Sequence, residues 1–323
     1  MITVSSPAQI FFFGEHAVVY GQPALATAIN LRTKVKGKSR DDNKVIVKSH
    51  GIGSLEGVIE CEDNKWVLKE KKGDTKNLSY VIKAIEVTLN QVEEGGGFEL
   101  EITSDIPPGS GLGSSSAVTT ATIAAVSNLM NNSLDKDMIT DLAFETEKLV
   151  QGPASRTGVS VATHGSFALI QDEEIDVRED LPQLNIVIGY TGSHGSTAEA
   201  VGRVKELKNT RPNITNPILE TIGEITQNGM KAVKEGDLDK VGVLMNANQA
   251  LLKGLDVSSD HLESLIKAAH EAGAKGAKLT GGGKGGSMIA IIDEKQQKIV
   301  KAIREANGKP IEAEIGVNGL ELI

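Results

Sequence analysis

Hydrophobic and polar positions change period several times along this chain, and each change predicts an element. Ile10 to Phe13 is a short apolar run, and Leu31 to Lys36, Lys44 to Lys48 and Phe98 to Ile102 alternate, so all four predict strands. Ser79 to Val92 places Val81, Ile82, Ala84, Ile85, Val87 and Leu89 at helical spacing. Ser114 to Met130 is small and apolar enough for a second helix, and Asp135 to Val150 reads as a third, with Asp135 or Asp137 as its cap. Ser166 to Ile170 predicts a strand, and the acidic stretch Asp172 to Asp180 is expected to be exposed. Beyond it the apolar strand Leu184 to Ile188 opens a second half. Helical segments follow at Ser196 to Lys208, Pro217 to Glu235, Leu238 to Leu252 and His261 to Ala272. Strands at Ala277 to Leu279 and Ser287 to Ile292, a helix at Glu294 to Ala306 and a strand pair over Pro310 to Ile323 complete the chain. Strands early and helices clustered late predict an α+β protein that divides near residue 180, into 1–180 and 181–323.

Between the strand at 98–102 and the helix at 114–130 lies Pro107-Pro108-Gly109-Ser110-Gly111-Leu112-Gly113-Ser114-Ser115-Ser116-Ala117. Its glycines let the backbone turn tightly and approach a ligand. A loop of this kind opening a helix aims unpaired N–H groups and the positive end of the helix dipole at one spot, which suits phosphate. The spacing is neither the Walker pattern nor the full dinucleotide fingerprint, and a flexible connector would have the same composition. Two other segments stand out. In Gly14-Glu15-His16-Ala17-Val18-Val19-Tyr20-Gly21 a Glu-His pair follows a glycine where the chain leaves an apolar strand; by itself His16 also suits a hydrogen-bonded structural role. In Gly276 to Ser287, five of the six positions 281–286 are glycine, which permits very close backbone approach to a ligand or another loop.

Composition narrows the picture. The 323 residues suffice for one large or two ordinary domains, and 39% hydrophobic with 24% charged residues is the balance of a globular enzyme. Net charge is −9, from 34 basic and 43 acidic residues, which argues against general nucleic-acid or anionic-membrane binding. A single cysteine, Cys61, allows no internal disulfide and no cysteine-based metal site, and predicts a cytoplasmic protein. The opening residues lack a signal-peptide pattern, and no apolar run approaches the roughly 18 residues that cross a bilayer.

Taken together and in order, the three segments resemble the motifs of the GHMP kinase superfamily, and within it the archaeal-type mevalonate kinases. Gly14 to Gly21 is similar to their first motif, Pro107 to Ala117 to the ATP loop P-x-G-x-G-L-G-S-S-x-A, and Gly276 to Gly286 to the third motif G-A-K-x-T-G-A-G-G-G-G. The resemblance covers nearly the whole chain. It implies the GHMP kinase fold: an N-terminal domain like ribosomal protein S5 domain 2, a C-terminal ferredoxin-like domain, and ATP and mevalonate in the cleft between them. It assigns Pro107, Gly109, Ser110, Gly111, Leu112, Gly113, Ser114, Ser115 and Ser116, with Gly281 and Gly283, to ATP, and Glu15, His16, Thr197 and Gly282 to mevalonate. Ser114 or Ser115, with Glu147, matches the family's Mg²⁺ ligands, a hydroxyl and a carboxylate being apt for a hard cation. Homodimerisation is a further implication.

The chain also departs from that family. Gly158 stands where the family has the aspartate proposed as base for the substrate hydroxyl, and Gln9 where it has the lysine that pairs with that aspartate. Gly195 replaces a basic residue often found two positions before Thr197, and Lys284 stands where glycine is usual. Losing aspartate and lysine together is coherent, because a buried lysine without its counter-ion costs several kcal/mol. Lys284, inside a loop expected to touch phosphate, is a candidate to replace part of the lost charge; a solvent-facing lysine suits the position equally. Three functions follow: phosphorylation of the mevalonate 5-hydroxyl, a nucleotide- or mevalonate-binding protein without significant catalysis, and a GHMP kinase acting on another small hydroxy acid. The close match of Gly14 to Gly21 speaks against the last.

Overall fold

A computed structural model describes every residue except Pro153, Glu173, His194, Ser196, Glu294 and Lys295. In chain order the elements are strand β1 (Ile2–Phe13), a 3₁₀ turn (Ala17–Tyr20), β2 (Ala24–Ser39), β3 (Lys44–Ser49), β4 (Gly53–Glu62), β5 (Lys65–Gly73), helix α1 (Ser79–Val92), β6 (Phe98–Ser104), α2 (Ser114–Leu129), α3 (Lys136–Gln151), α4 (Arg156–His164), β7 (Phe167–Gln171), β8 (Glu174–Arg178) and β9 (Leu184–Tyr190). There follow α5 (Thr197–Thr210), α6 (Pro212–Glu235), α7 (Leu238–Gly254), α8 (Asp260–Glu271), β10 (Gly276–Thr280), β11 (Ser287–Ile291), α9 (Gln296–Glu305), β12 (Lys309–Ile315) and β13 (Glu321–Leu322). Strands and helices are mixed in one α+β architecture.

The described strands run in the order β10-β11-β9-β12-β2-β6-β3-β4-β5, with β1 and β7 paired to β2 off that path. The long strand β2 is the hub. One edge carries β1; the other carries β7 at Ala24–Thr27, touches β12 at Ile29 and carries β6 from Thr33 onward. The β1–β2 register slips at Pro7/Ala8, where a proline without an N–H is tolerated. The outer edge of β1 pairs with β13 only at Val4 and Ser5. Further along that edge, the N–H groups of Gln9 and Phe11 find partners in the loop before α2 and at the end of β10 instead.

Helices α1 to α4 cover the sheet of the first half around Val35, Val47, Phe98, Ile123 and Ala125. In the second half the sheet is covered on both faces, and this explains a feature of the sequence. Ile186 and Ile188 of β9 and Ile289 and Ile291 of β11 point toward α6 and α7, with Phe12 and Phe13. Val187, Met288 and Ala290 point the other way, toward α8 and α9. Strands buried on both faces read as continuous apolar runs rather than alternating ones. The cluster under α6 and α7 joins Ala8 and Ile10 to Ile289 and Ile315, so a single core spans residue 180. Edge strand β10 is closed by α7: Asn246 Oδ1 accepts from Ala277 N at 3.1 Å and Gln249 Oε1 from Leu279 N at 2.9 Å. Two helix residues three apart share a face and so reach two outward N–H groups of the strand.

Most predicted elements lie where the periodicity puts them, and α1 matches to the residue. The Asp135 side chain caps α3 by accepting from Met138 N at 2.8 Å. Helix α6 begins five residues before Pro217, with Pro212 in its first turn, where a missing N–H does no harm. The predicted helix starts at Ser196 and Glu294, and Pro153 in the departed motif, lie outside the described residues. The acidic stretch Asp172 to Asp180 is exposed or half-buried where it is described, and it contains β8, paired antiparallel with β7. One expectation is corrected. The last two strands do not pair with each other: β12 joins β9 and β2, and β13 joins β1. Strands β4 and β5 and helix α4 carried no clear signal, because glycines interrupt β4, lysines crowd β5, and β-branched residues and Gly158 depress helix propensity in α4. No described helix is long and apolar enough to cross a membrane.

Helix α6 packs on β1 at Gly229, where a Cβ would stand 2.5 Å from the ring of fully buried Phe13. Gly229→Ala is therefore expected to destabilise the protein by about 1–3 kcal/mol through overpacking, despite the better helix propensity of alanine. Urea unfolding midpoints of the two proteins check this; an unchanged or higher midpoint contradicts it.

Candidate active site

The site is assembled on the outer edge of β1. Gln9 N donates to Leu112 O of the glycine loop at 2.9 Å. Phe11 N donates to Thr280 Oγ1 at 3.0 Å, and Thr280 Oγ1 donates to Phe11 O at 2.9 Å. Pro7, earlier on the strand, has no N–H to satisfy. One strand thereby holds the glycine loop that precedes α2 and the glycine turn that follows β10. The two loops also touch each other. Ser287 Oγ donates to Ser110 O at 2.9 Å, and a Cβ at Gly281 would stand 3.6 Å from Gly111 O.

The glycine loop is shaped for close approach. Gly109, Gly111 and Gly113 all have positive φ, at 70°, 77° and 75°. Gly111 faces open space, while Leu112 is buried in the core and Ser110 Oγ donates back to Pro107 O at 2.7 Å. No side chain caps α2, so the N–H groups of its first turn, at Ser114, Ser115 and Ser116, open onto the loop. Helix α3 brings Glu147 to the same place. Glu147 Oε1 accepts from Ser116 Oγ at 2.8 Å and from Ser115 Oγ at 3.5 Å. Burial pushes the Glu147 carboxyl above the ordinary glutamate range, against the pull of the two hydroxyls. Of the expected metal ligands, the structure brings Ser115 and Glu147 together; the shortest bond to Glu147 comes from Ser116, expected at the nucleotide. One buried carboxylate with hydroxyls beside a phosphate-shaped loop fits Mg²⁺, which takes few protein ligands and completes its shell with phosphate and water oxygens. Among the described residues no three His, Cys, Asp or Glu side chains gather as a self-sufficient metal site.

The first motif is held by a contact the sequence reading passed over. Lys278 of β10, fully buried, donates its Nζ to Glu15 Oε1 and to Leu279 O, the latter at 2.7 Å. Burial drives the Glu15 carboxyl up and the Lys278 ammonium down, and the attraction between them opposes both shifts. A lysine between Ala277 and Leu279 in an apolar strand was the available signal, since a buried cation demands a carboxylate. Beside it, His16 adopts φ 63°, and its Nε2–H donates to Gly282 O at 2.9 Å. Burial lowers the His16 pKa below 6.5, the carbonyl of Gly282 partly restores it, and Lys278 lowers it further. Thr197, at the start of α5, lies against Gly282: a Cβ at 282 would stand 2.9 Å from its Oγ1. Gly283 has φ 82° and a Cβ there would meet Val257 O at 2.1 Å, so glycine is required.

The departures occupy defined places. Gly158, on α4, faces Ser116 and Gln9: a Cβ at 158 would stand 2.4 Å from Ser116 Oγ and 2.6 Å from Gln9 Nε2. The structure thus joins positions 9 and 158, as the family resemblance requires. A Cβ at Gly195 would stand 2.5 Å from Gly283 O, so the third loop packs against bare backbone there. Lys284 pairs with Asp256 at 2.9 Å, and Asp256 also accepts from Arg203 Nε at 2.8 Å, which draws the lysine onto the surface.

Two outcomes follow from this geometry. Lys278→Met leaves Glu15 buried without a counter-charge and is expected to cost about 3–5 kcal/mol, while Glu15→Leu combined with Lys278→Met recovers most of the loss. Denaturant unfolding of the single and double variants measures the coupling; additive losses refute it. For His16 the folded pKa lies below the unfolded value of 6.5, so the unfolded chain binds more protons and stability falls as pH drops through that value. His164 is shifted the same way. His16→Gln is expected to make stability less dependent on pH between about 5.5 and 7.5; melting curves across that range with unchanged slope would show that His16 takes no part.

A model described as the GHMP kinases N terminal domain matches residues 79–166, and one described as GHMP kinases C terminal matches residues 230–309. The mevalonate kinase of Pyrococcus abyssi is 40% identical, over 100% of this chain and 98% of its own length. That of Pyrococcus furiosus is 39% identical over 99% and 98%. The crystal structure of the Methanococcus jannaschii mevalonate kinase superposes with a TM-score of 0.83 at 28% identity, covering 96% of this chain and 97% of that one. With matching motif loops, a matching fold and relatives along its full length, this chain belongs to the GHMP kinase family, among the mevalonate kinases.

Proposed function

We propose that this chain transfers the γ-phosphoryl group of ATP to the 5-hydroxyl of mevalonate, with Mg²⁺ as the metal. The observation that carries the reading is the docking of the glycine loop and of the turn after β10 side by side on the outer edge of β1, with the Glu15–His16 motif tied to the latter, in a chain whose full-length relatives bear the name mevalonate kinase. ATP and mevalonate lie between the halves 1–180 and 181–323. Gly109 to Ser115 and the first turn of α2 bind the phosphates through backbone N–H groups. Ser115 and Glu147 hold Mg²⁺, which neutralises charge on the phosphate oxygens. His16 keeps Gly282 and Thr197 in place for mevalonate, and Glu15 acts through its pair with Lys278, which fixes the loop between them.

A second reading has its own support. Neither position 9 nor position 158 bears a charge, and α4 delivers backbone where the family carries a carboxylate. A protein that binds nucleotide and mevalonate but transfers slowly would have this site. Phosphoryl transfer proceeds through a largely dissociative transition state, so positioning and charge supply most of the acceleration. A general base adds roughly 10²–10⁴-fold.

ADP release from Mg·ATP is expected to depend on mevalonate in the unaltered chain. Gln9→Lys with Gly158→Asp is expected to raise turnover at least about tenfold. Gly158→Asp alone is expected to fall below the double variant, because its side chain meets Ser116 and Gln9 and lacks a cationic partner. A coupled ADP assay on the three proteins decides. An unaltered chain silent beside an active double variant leaves only the binding reading.

A further inference from the structure

The side chain of Gln9 crosses the floor of the site. Its Cγ lies 2.4 Å from where a Cβ of residue 113 would stand, and its Nε2 lies 2.6 Å from the corresponding point at residue 158. The amide therefore fills the space that a side chain at 158 would claim, between the start of α2 and helix α4. The Gln9 backbone, bonded to Leu112, fixes the root of this side chain relative to the glycine loop. Its carboxamide oxygen Oε1 is buried and meets no donor among the described residues. The nearby Ser116 hydroxyl does not serve, because it donates to Glu147.

A buried acceptor without a donor is unfavourable, and a hydrogen-bond donor entering the site would satisfy it. Phosphate oxygens of ATP bring none. An alcohol does. We infer that the Gln9 carboxamide oxygen receives the hydrogen bond of the substrate hydroxyl that is to be phosphorylated, and so orients that oxygen toward the phosphoryl group. The inference rests on the kinase reading above and gives Gln9 the place of a catalytic residue in direct contact with substrate. In the transfer, the hydroxyl oxygen forms the new O–P bond. The bridging Pγ–O bond breaks, with its electron pair leaving on ADP. The hydroxyl proton passes to a non-bridging oxygen of the transferred group, because a carboxamide accepts a hydrogen bond without taking the proton. The loss of aspartate and lysine thus leaves a neutral group that aligns the nucleophile, with the base contribution absent.

The test is a cycle between one side chain and one hydroxyl. Calorimetric titration, with a non-hydrolysable ATP analogue bound, compares mevalonate with 3-hydroxy-3-methylpentanoate, which lacks the 5-hydroxyl. The unaltered protein is expected to favour mevalonate roughly tenfold, and Gln9→Met to favour it less than about twofold. Without ligand, Gln9→Met removes an unsatisfied acceptor while keeping the shape, so its melting temperature is expected to rise by roughly 2 °C. Unchanged discrimination in Gln9→Met overturns the inference and leaves the kinase reading standing. A melting temperature lowered by several degrees, or failure to fold, also overturns it, since the amide would then have a structural partner. An unaltered protein that binds neither molecule overturns both.

Discussion

The outer edge of β1 is the constraint on which the rest of the site depends. A strand whose partner β13 ends after two residues leaves backbone N–H groups that must be satisfied. At Gln9 and Phe11 they are satisfied by Leu112 O, in the glycine loop, and by Thr280 Oγ1, at the end of β10, about 100 and 270 residues distant in the chain. A shortage of sheet partners thereby becomes a docking rail for two glycine-rich loops. Because Gln9 and Phe11 are two apart, they share one edge of the strand, and the loops arrive side by side.

Loops rich in glycine lose much backbone entropy on ordering. The molecule offsets this with contacts that tie the loops to strands and to one another. Lys278 and Glu15 join β10 to the first motif in a buried pair, and His16 ties that motif to Gly282. Ser287 ties the third loop to Ser110, and α7 closes the edge of β10. The buried pair adds little net stability, since desolvation consumes much of its Coulomb attraction. What it forbids is any arrangement in which either charge is buried alone.

The charge-free floor of the site is internally consistent. Gln9 on β1 fills the space left by Gly158 on α4, and Ser116, bonded to Glu147, borders the same room. Changing one of these positions alone disturbs the others, so the two departures form a single packing solution. Lys284 has a separate account: its ammonium lies with Asp256 and Arg203 at the surface.

Much of this protein was legible in its residues. Periodicity located α1, α3, β9 and β11, because a helix or strand advertises the face it buries, and three glycine motifs in order identified the family. Strands β4 and β5 and helix α4 were not legible, because pairing and burial hold them against weak local preference. Nor was Lys278 as the partner of Glu15, since the two are 263 residues apart in the chain and their bond exists only once β10 lies beside β1. The sequence by itself determined which residue types were available for phosphate, metal and hydroxyl. Only the tertiary structure decided which of them meet, because hydrogen bonds and ion pairs act over a few ångströms, and the sheet sets those distances.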